Sequence, residues 1–311
     1  MYSTDFGFYT RVYDFDSVVA RANGLDDIAK MLDSPGKDVF EAYADLGTMK
    51  YADGTIVQAE CFGEVHAFAS DDGQADTAHL YDTTADLVTS YATWYKAWHG
   101  DSKMYATMPI PSFFNRAVGF DEVTASADGS DDVAQLYDAA FDDIYWSRPD
   151  HSRMEYGDGT IAEALNFRYM YGYSRNGSDT AILLDQTAGG TSYATHFYGY
   201  ATGRGRQFTD GYGFYSFADG FDGILAVLGG HDDLVRLYDD PARVDHLVIP
   251  FPGDGDHDPA KAVFFNGQRL ICVDDFLLLA AFTSEDDVDD EEVDPAYTDE
   301  VLLYGDWAEA P

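Results

Sequence analysis

Apolar and polar residues alternate along this chain in short runs, and acidic, glycine-containing turns separate the runs. In the phrase from Phe62 to Ala69 the fourth, sixth and eighth positions are Val65, Ala67 and Ala69. The same series recurs at Val18, Ala20 and Ala22 and at Val123, Ala125 and Ala127. A period of two predicts a strand with one buried face. A second phrase follows each copy and closes on Asp33, Asp82, Asp138, Asp185 or Asp239. It alternates in the same way, with Ala78 and Leu80, or Ala134 and Leu136, inward and His79 or Gln135 toward water. A helix over Leu25 to Leu32 is the weaker reading, because the sister copies are rich in Thr, Tyr and Val.

These phrases repeat. The opening Phe stands at Phe15, Phe62, Phe120, Phe167 and Phe221, at intervals of 47, 58, 47 and 54 residues, with a degraded copy beginning at Phe276. A third element joins alternate units: the run from Met49 to Ile56 matches that from Met154 to Ile161 at an offset of 105. Likewise Gly7-Phe8-Tyr9 matches Gly213-Phe214-Tyr215 at an offset of 206. Tandem units that complete one another's core define a solenoid. The expected fold is therefore all-β, an elongated parallel β-solenoid (β-helix) of about five tandem units of 47–58 residues. A unit of this length exceeds a single coil of roughly 20 to 30 residues, so it holds two coils, or one coil with long excursions. Small inward residues imply closely approaching walls, where a sandwich would ask for bulkier ones. The solenoid is expected to fill residues 1–283 as one domain, with 284–311 an acidic tail or cap.

Charge narrows the possible partners. The chain has 18 basic and 57 acidic residues, a formal net charge of −39, and lacks the basic footprint that nucleic acid requires. Of the acids 46 are Asp and 11 are Glu, which places the charge in turns between strands. Such turns suit calcium, and they equally suit a solvated surface whose self-repulsion is screened by salt. No apolar stretch is long enough for a transmembrane segment. The N-terminus has no basic and apolar leader pattern, so an export signal is expected to have been removed or to lie on a longer parent chain.

The run from Gly119 to Asp143, with Met104 to Pro109 and Phe113 to Ala117, resembles the Asp-rich Phe-Asp / Leu-Tyr-Asp-Ser tandem repeat of large secreted bacterial surface proteins. These are often labelled haemolysin-like or calcium-binding. The resemblance covers roughly Gly7 to Val248 and implies an extracellular or cell-surface location with a structural or adhesive role. The tandem Gly-Gly-x-Gly-x-Asp series of calcium rolls is missing, and Gly253 to Asp258 is a solitary acidic match.

Two sets of residues are candidates for binding. Trp94, Tyr95, Lys96, Trp98 and His99 concentrate aromatic rings with a Lys and a His, a combination that can stack on sugars. The same segment also reads as a decorated structural strand. The turn acids Asp27, Asp76, Asp131, Asp132, Asp179, Asp232 and Asp233 are the calcium candidates. Arg148, Asp150, His151 and Arg153 form a second polar group. Gly203-Arg204-Gly205-Arg206 is the compact basic cluster, expected to pair with neighbouring acids. No nucleophile elbow, phosphate loop, dinucleotide fingerprint or zinc spacing occurs. The expected function is a non-enzymatic structural or adhesive module whose partners are polysaccharide or other copies of a surface protein. A polysaccharide lyase or hydrolase, or a carbohydrate-binding domain, is the alternative.

Overall fold

A computed structural model describes residues 15–23, 26–85, 92–106, 113–128, 131–187, 194–209, 213–228 and 233–238, and the backbone of seven further strands up to residue 309. It is a parallel β-solenoid of about five turns, without a helix among the described residues. None of them forms a helix long and apolar enough to cross a membrane. Two compact units divide the chain: Met1–Asp132 with Thr160–Glu163, and Val133–Gly159 with Ala164–Pro311.

In the first unit the opening phrase forms β1 (Ser17–Arg21) and the second phrase β2 (Ile28–Leu32), on opposite sheets. The chain then returns to the first sheet as a meander of β3 (Val39–Ala42), β4 (Leu46–Lys50) and β5 (Ile56–Glu60). The spatial order is β1-β5-β4-β3, so the meander folds back toward its own start and fills the gap left by the forward step. The next copy begins on the other sheet with β6 (Glu64–Phe68), crosses to β7 (Thr77–Tyr81), and places β8 (Thr93–Trp98), β9 (Asp101–Ala106) and β10 (Phe114–Val118) beside β6 in the order β6-β10-β9-β8. The third copy returns to the first sheet with β11 (Glu122–Ser126), parallel to β7.

The second unit follows the same scheme. It contains β12 (Val133–Tyr137), β13 (Ile144–Arg148), β14 (His151–Glu155), β15 (Ile161–Leu165, shared with the first unit), β16 (Tyr169–Tyr173) and β17 (Thr180–Leu184). Then come β18 (Thr195–Tyr200), β19 (Arg204–Thr209), β20 (Tyr215–Asp219), β21 (Gly223–Val227) and β22 (Leu234–Tyr238). The last seven are β23 (His246–Ile249), β24 (Lys261–Phe265), β25 (Leu270–Asp274), β26 (Leu278–Phe282), β27 (Asp289–Val293), β28 (Val301–Tyr304) and β29 (Trp307–Glu309). One of its sheets runs β14-β13-β17-β21-β25-β24-β23-β27-β29, the other β12-β16-β20-β19-β18-β22-β26-β28. The degraded copy after Phe276 thus supplies β26, and the acidic segment beyond residue 284 carries three more paired strands.

Each repeat is therefore one coil with one excursion, and the excursion is the antiparallel meander. Successive copies start on alternate sheets, which is why the Met49–Ile56 and Met154–Ile161 runs recur only in every second unit. Both runs span the turn into the third strand of a meander, where Gly54 and Gly159 each have φ +93°.

Val65, Ala67, Val123 and Ala125 point into the core as the alternation requires, whereas Val18 and Ala20 on the terminal strand β1 are only half-buried. The core is not uniformly small. Phe40, Tyr95 and Met104 in the first unit and Tyr145, Met170 and Phe197 in the second are fully enclosed. Close approach arises where a glycine on one sheet faces a large residue on the other. A Cβ at Gly47 would lie 2.5 Å from Val65, and one at Gly172 would lie 2.5 Å from the Tyr145 ring. Size complementarity between the walls, rather than small residues throughout, sets their separation.

Candidate functional site

Along β8 the strand alternation sends Trp94, Lys96 and Trp98 to the outer face and Tyr95 and Ala97 to the core. Tyr95 is fully buried and its hydroxyl approaches Ser102 Oγ at 3.4 Å, so it offers no face to a ligand and leaves the candidate set. His99 is exposed in the turn before β9. Lys96 Nζ lies 5.4 Å from the Trp94 ring centre and Lys103 Nζ 4.9 Å from that of Trp98. On the neighbouring strands Tyr105 stacks with Phe114 at 6.0 Å, and His66 lies 5.5 Å from Phe114. Arg116 and Lys103 both reach Asp101. Burial pushes that carboxyl up, but the hydrogen bonds from the two cations outweigh it and hold it below the ordinary range.

The second unit carries a larger version that the sequence reading did not single out. Across β16, β20, β19, β18 and β22 the outward residues fall into three rows. One row is Tyr169, Tyr215, Phe208, His196 and Leu234. The middle row is Tyr171, Phe217, Arg206, Tyr198 and Arg236, and the third is Tyr173, Asp219, Arg204, Tyr200 and Tyr238. Nine of these fifteen positions are aromatic and one is a carboxylate, in a chain where acids outnumber bases threefold. On the opposite sheet of this unit the described outward residues are Trp146 on β13, Thr180, Ile182 and Leu184 on β17, and Leu225 and Val227 on β21, so among the described residues rings are concentrated on the first face. Tyr200 stacks on Tyr238 at 4.9 Å and His196 on Phe208 at 5.2 Å. Burial among these neighbours raises Tyr171 to about 12. A shallow depression of about 280 Å³ is lined by Tyr200, Arg204, Arg206, Tyr215 and Phe217.

The turn acids have a different occupation. Asp76, Asp132, Asp179 and Asp233 are at most 1% exposed and stand directly before β7, β12, β17 and β22. Each accepts a backbone N–H from a neighbouring strand's start: Asp38 to Asp76 Oδ1, Thr93 to Asp132 Oδ1, Asp143 to Asp179 Oδ1 and Thr195 to Asp233 Oδ1, all at 2.7 Å. The series continues, since Asp76 N–H donates to Asp121 at 2.8 Å and Asp179 N–H to Asp222 at 3.2 Å. Burial raises Asp76 and Asp179 above the ordinary carboxyl range. Asp27 and Asp131 are exposed, and Asp232 lies outside the described residues.

Calcium takes six to eight oxygens in one shell. Among the described residues no three His, Cys, Asp or Glu side chains converge as such a shell. The four buried carboxylates each cap a backbone amide.

The group at Arg148, Asp150, His151 and Arg153 is a hairpin end. Arg148 lies 3.0 Å from His151 Nδ1, 3.1 Å from Asp150, and over the Trp146 ring at 5.3 Å. Of the basic cluster, Arg204 pairs with Asp219 at 2.6 Å as expected, whereas Arg206 lies over Tyr198 and Phe208 at 4.7 and 5.2 Å. No family model, curated protein or solved structure matches the chain.

Proposed function

We propose that this chain is a non-enzymatic, extracellular adhesive repeat module that holds glycan on the aromatic outer face of its solenoid. The observation that carries this reading is the segregation of side chains. Rings gather on one sheet face of the second unit and around Trp94 and Trp98 in the first, and the carboxylates gather at the coil corners. Flat rings fixed on a rigid sheet present large contact area with little conformational entropy to lose, which suits stacking on sugar faces. Asp76, Asp82 and Asp179, whose carboxyls burial raises, cap backbone amides at the corners instead of facing the aromatic surface, which supports binding over catalysis. The resemblance to secreted bacterial surface repeats points the same way.

The test is binding of the full chain to a panel of soluble polysaccharides by affinity electrophoresis, with products followed by reducing-end assay. Retardation by at least one glycan without new reducing ends is expected, weakened by Trp94→Ala with Trp98→Ala or by Tyr200→Ala with Phe217→Ala. Absence of retardation by every glycan overturns the proposal, and release of new ends makes the chain an enzyme.

A further inference from the structure

Every arginine on a described outer strand of this acidic chain would be expected to find a carboxylate. Arg21, Arg116, Arg148, Arg153 and Arg204 do so. Among the described residues Arg206 and Arg236 do not. They occupy the middle row of the second unit's aromatic face on either side of Tyr198, in register with it on β19 and β22. With two strand spacings between them, their Cα atoms stand roughly 10 Å apart.

Rings hold both guanidinium groups, and a hydroxyl also holds one of them. Arg236 lies over Tyr198 at 5.1 Å and donates from Nη1 to its hydroxyl at 2.9 Å. Arg206 lies over Tyr198 and Phe208 at 4.7 and 5.2 Å, while its Nε is enclosed without an acceptor. A guanidinium stacked on a ring is already oriented, and its planar fork of donors matches a carboxylate or sulfate. The depression beside Arg206, with Tyr200 and Phe217 in its wall, has room for a saccharide ring.

We propose that this face binds an acidic polysaccharide, with Arg206 and Arg236 taking its anionic groups and Tyr198, Tyr200 and Phe217 stacking on its rings. The inference rests on the glycan-binding reading and specifies its ligand class. A net charge of −39 repels any polyanion at long range, but beyond a Debye length of about 8 Å that field is screened at physiological salt, whereas contacts at the two arginines are not. Duplex nucleic acid, with a charge about every 1.7 Å, is the most strongly opposed polyanion, and a glycan with at most one or two charges per sugar is better tolerated.

The test measures binding of the full chain to polygalacturonate and alginate as carboxylate ligands, heparin and dextran sulfate as sulfate ligands, neutral dextran, and oligo-dT. Binding to either acidic class in preference to dextran is expected, and the two arms identify which anion is read. Arg206→Gln and Arg236→Gln should each weaken it about ten-fold or more, the loss of one charged hydrogen-bonding group. Arg204→Gln, whose arginine already pairs with Asp219, should change it less. Arg206→Lys keeps the charge without the fork and should recover part of the loss, and circular dichroism melting of each variant confirms that it folds. Equal binding of dextran, or unchanged affinity in both glutamine variants, overturns this inference and leaves the glycan reading standing. Absence of all glycan binding removes both, and tighter binding of oligo-dT assigns the face to single-stranded nucleic acid instead.

Discussion

Replacing Asp82 by Asn should make the protein more stable at pH 8 and leave it unchanged at pH 4. Asp82 follows β7, is 1% exposed, and accepts the Asp128 N–H on Oδ2 at 3.1 Å. Burial pushes its carboxyl up to about 7, and the nearby charges of Asp132 and Asp128 add to the rise. The folded state therefore holds this proton more tightly than the unfolded chain, whose carboxyl titrates near 3.9. Stability from this group is fully present below about pH 4, falls as the pH rises toward about 7, and is level above that. Three units at about 1.4 kcal/mol each set a ceiling of about 4 kcal/mol. Solvent screening at a coil corner reduces this to about 1–2 kcal/mol. Asn cannot ionise, and its Oδ1 can accept the same amide.

The measurement is the urea midpoint of both proteins between pH 4 and pH 8, at a common denaturant slope. Repulsion among the remaining acids acts on both proteins and largely cancels in the difference. A variant effect of the same size at every pH, or an Asp82 carboxyl resonance that titrates near 4, would refute the reasoning.

Three further outcomes test the packing and the caps. Gly172→Ala drives a methyl into the enclosed Tyr145 ring and should cost about 2–3 kcal/mol, whereas Gly54→Ala, with open space but φ +93°, should cost only about 1 kcal/mol; thermal melts rank the two. Asp233→Ala leaves the Thr195 N–H without its buried acceptor and should cost about 1–3 kcal/mol, while Asp233→Asn should be nearly neutral in the same melts. Raising ionic strength should increase the melting midpoint by screening the acidic turns, to the same extent with calcium as with magnesium at matched ionic strength. A specific gain with calcium would give the turn acids a ligand role.

Strand positions were legible because inward Val and Ala recur at every second residue, and that signal needs no long-range information. The meander was harder to see. The segments that join its strands differ in sequence between adjacent copies, and only the 105-residue recurrence hinted that the copies alternate between sheets. Tyr95 was misplaced although its own strand held the answer, since it shares a face with Ala97. The Asp caps were visible as residues but not as caps, because each acceptor lies 36–39 residues from its donor. The Arg206–Tyr198–Arg236 row was invisible for a related reason: it is assembled by register across three strands, and no local motif encodes register.

The change of sheet at each repeat makes parity a heritable property of the gene. Loss or duplication of a single repeat would turn every later coil over relative to the one before the junction, carrying outer rings from one side to the other. Events in pairs preserve the side. A lineage that depends on one sticky flank should therefore gain and lose repeats two at a time.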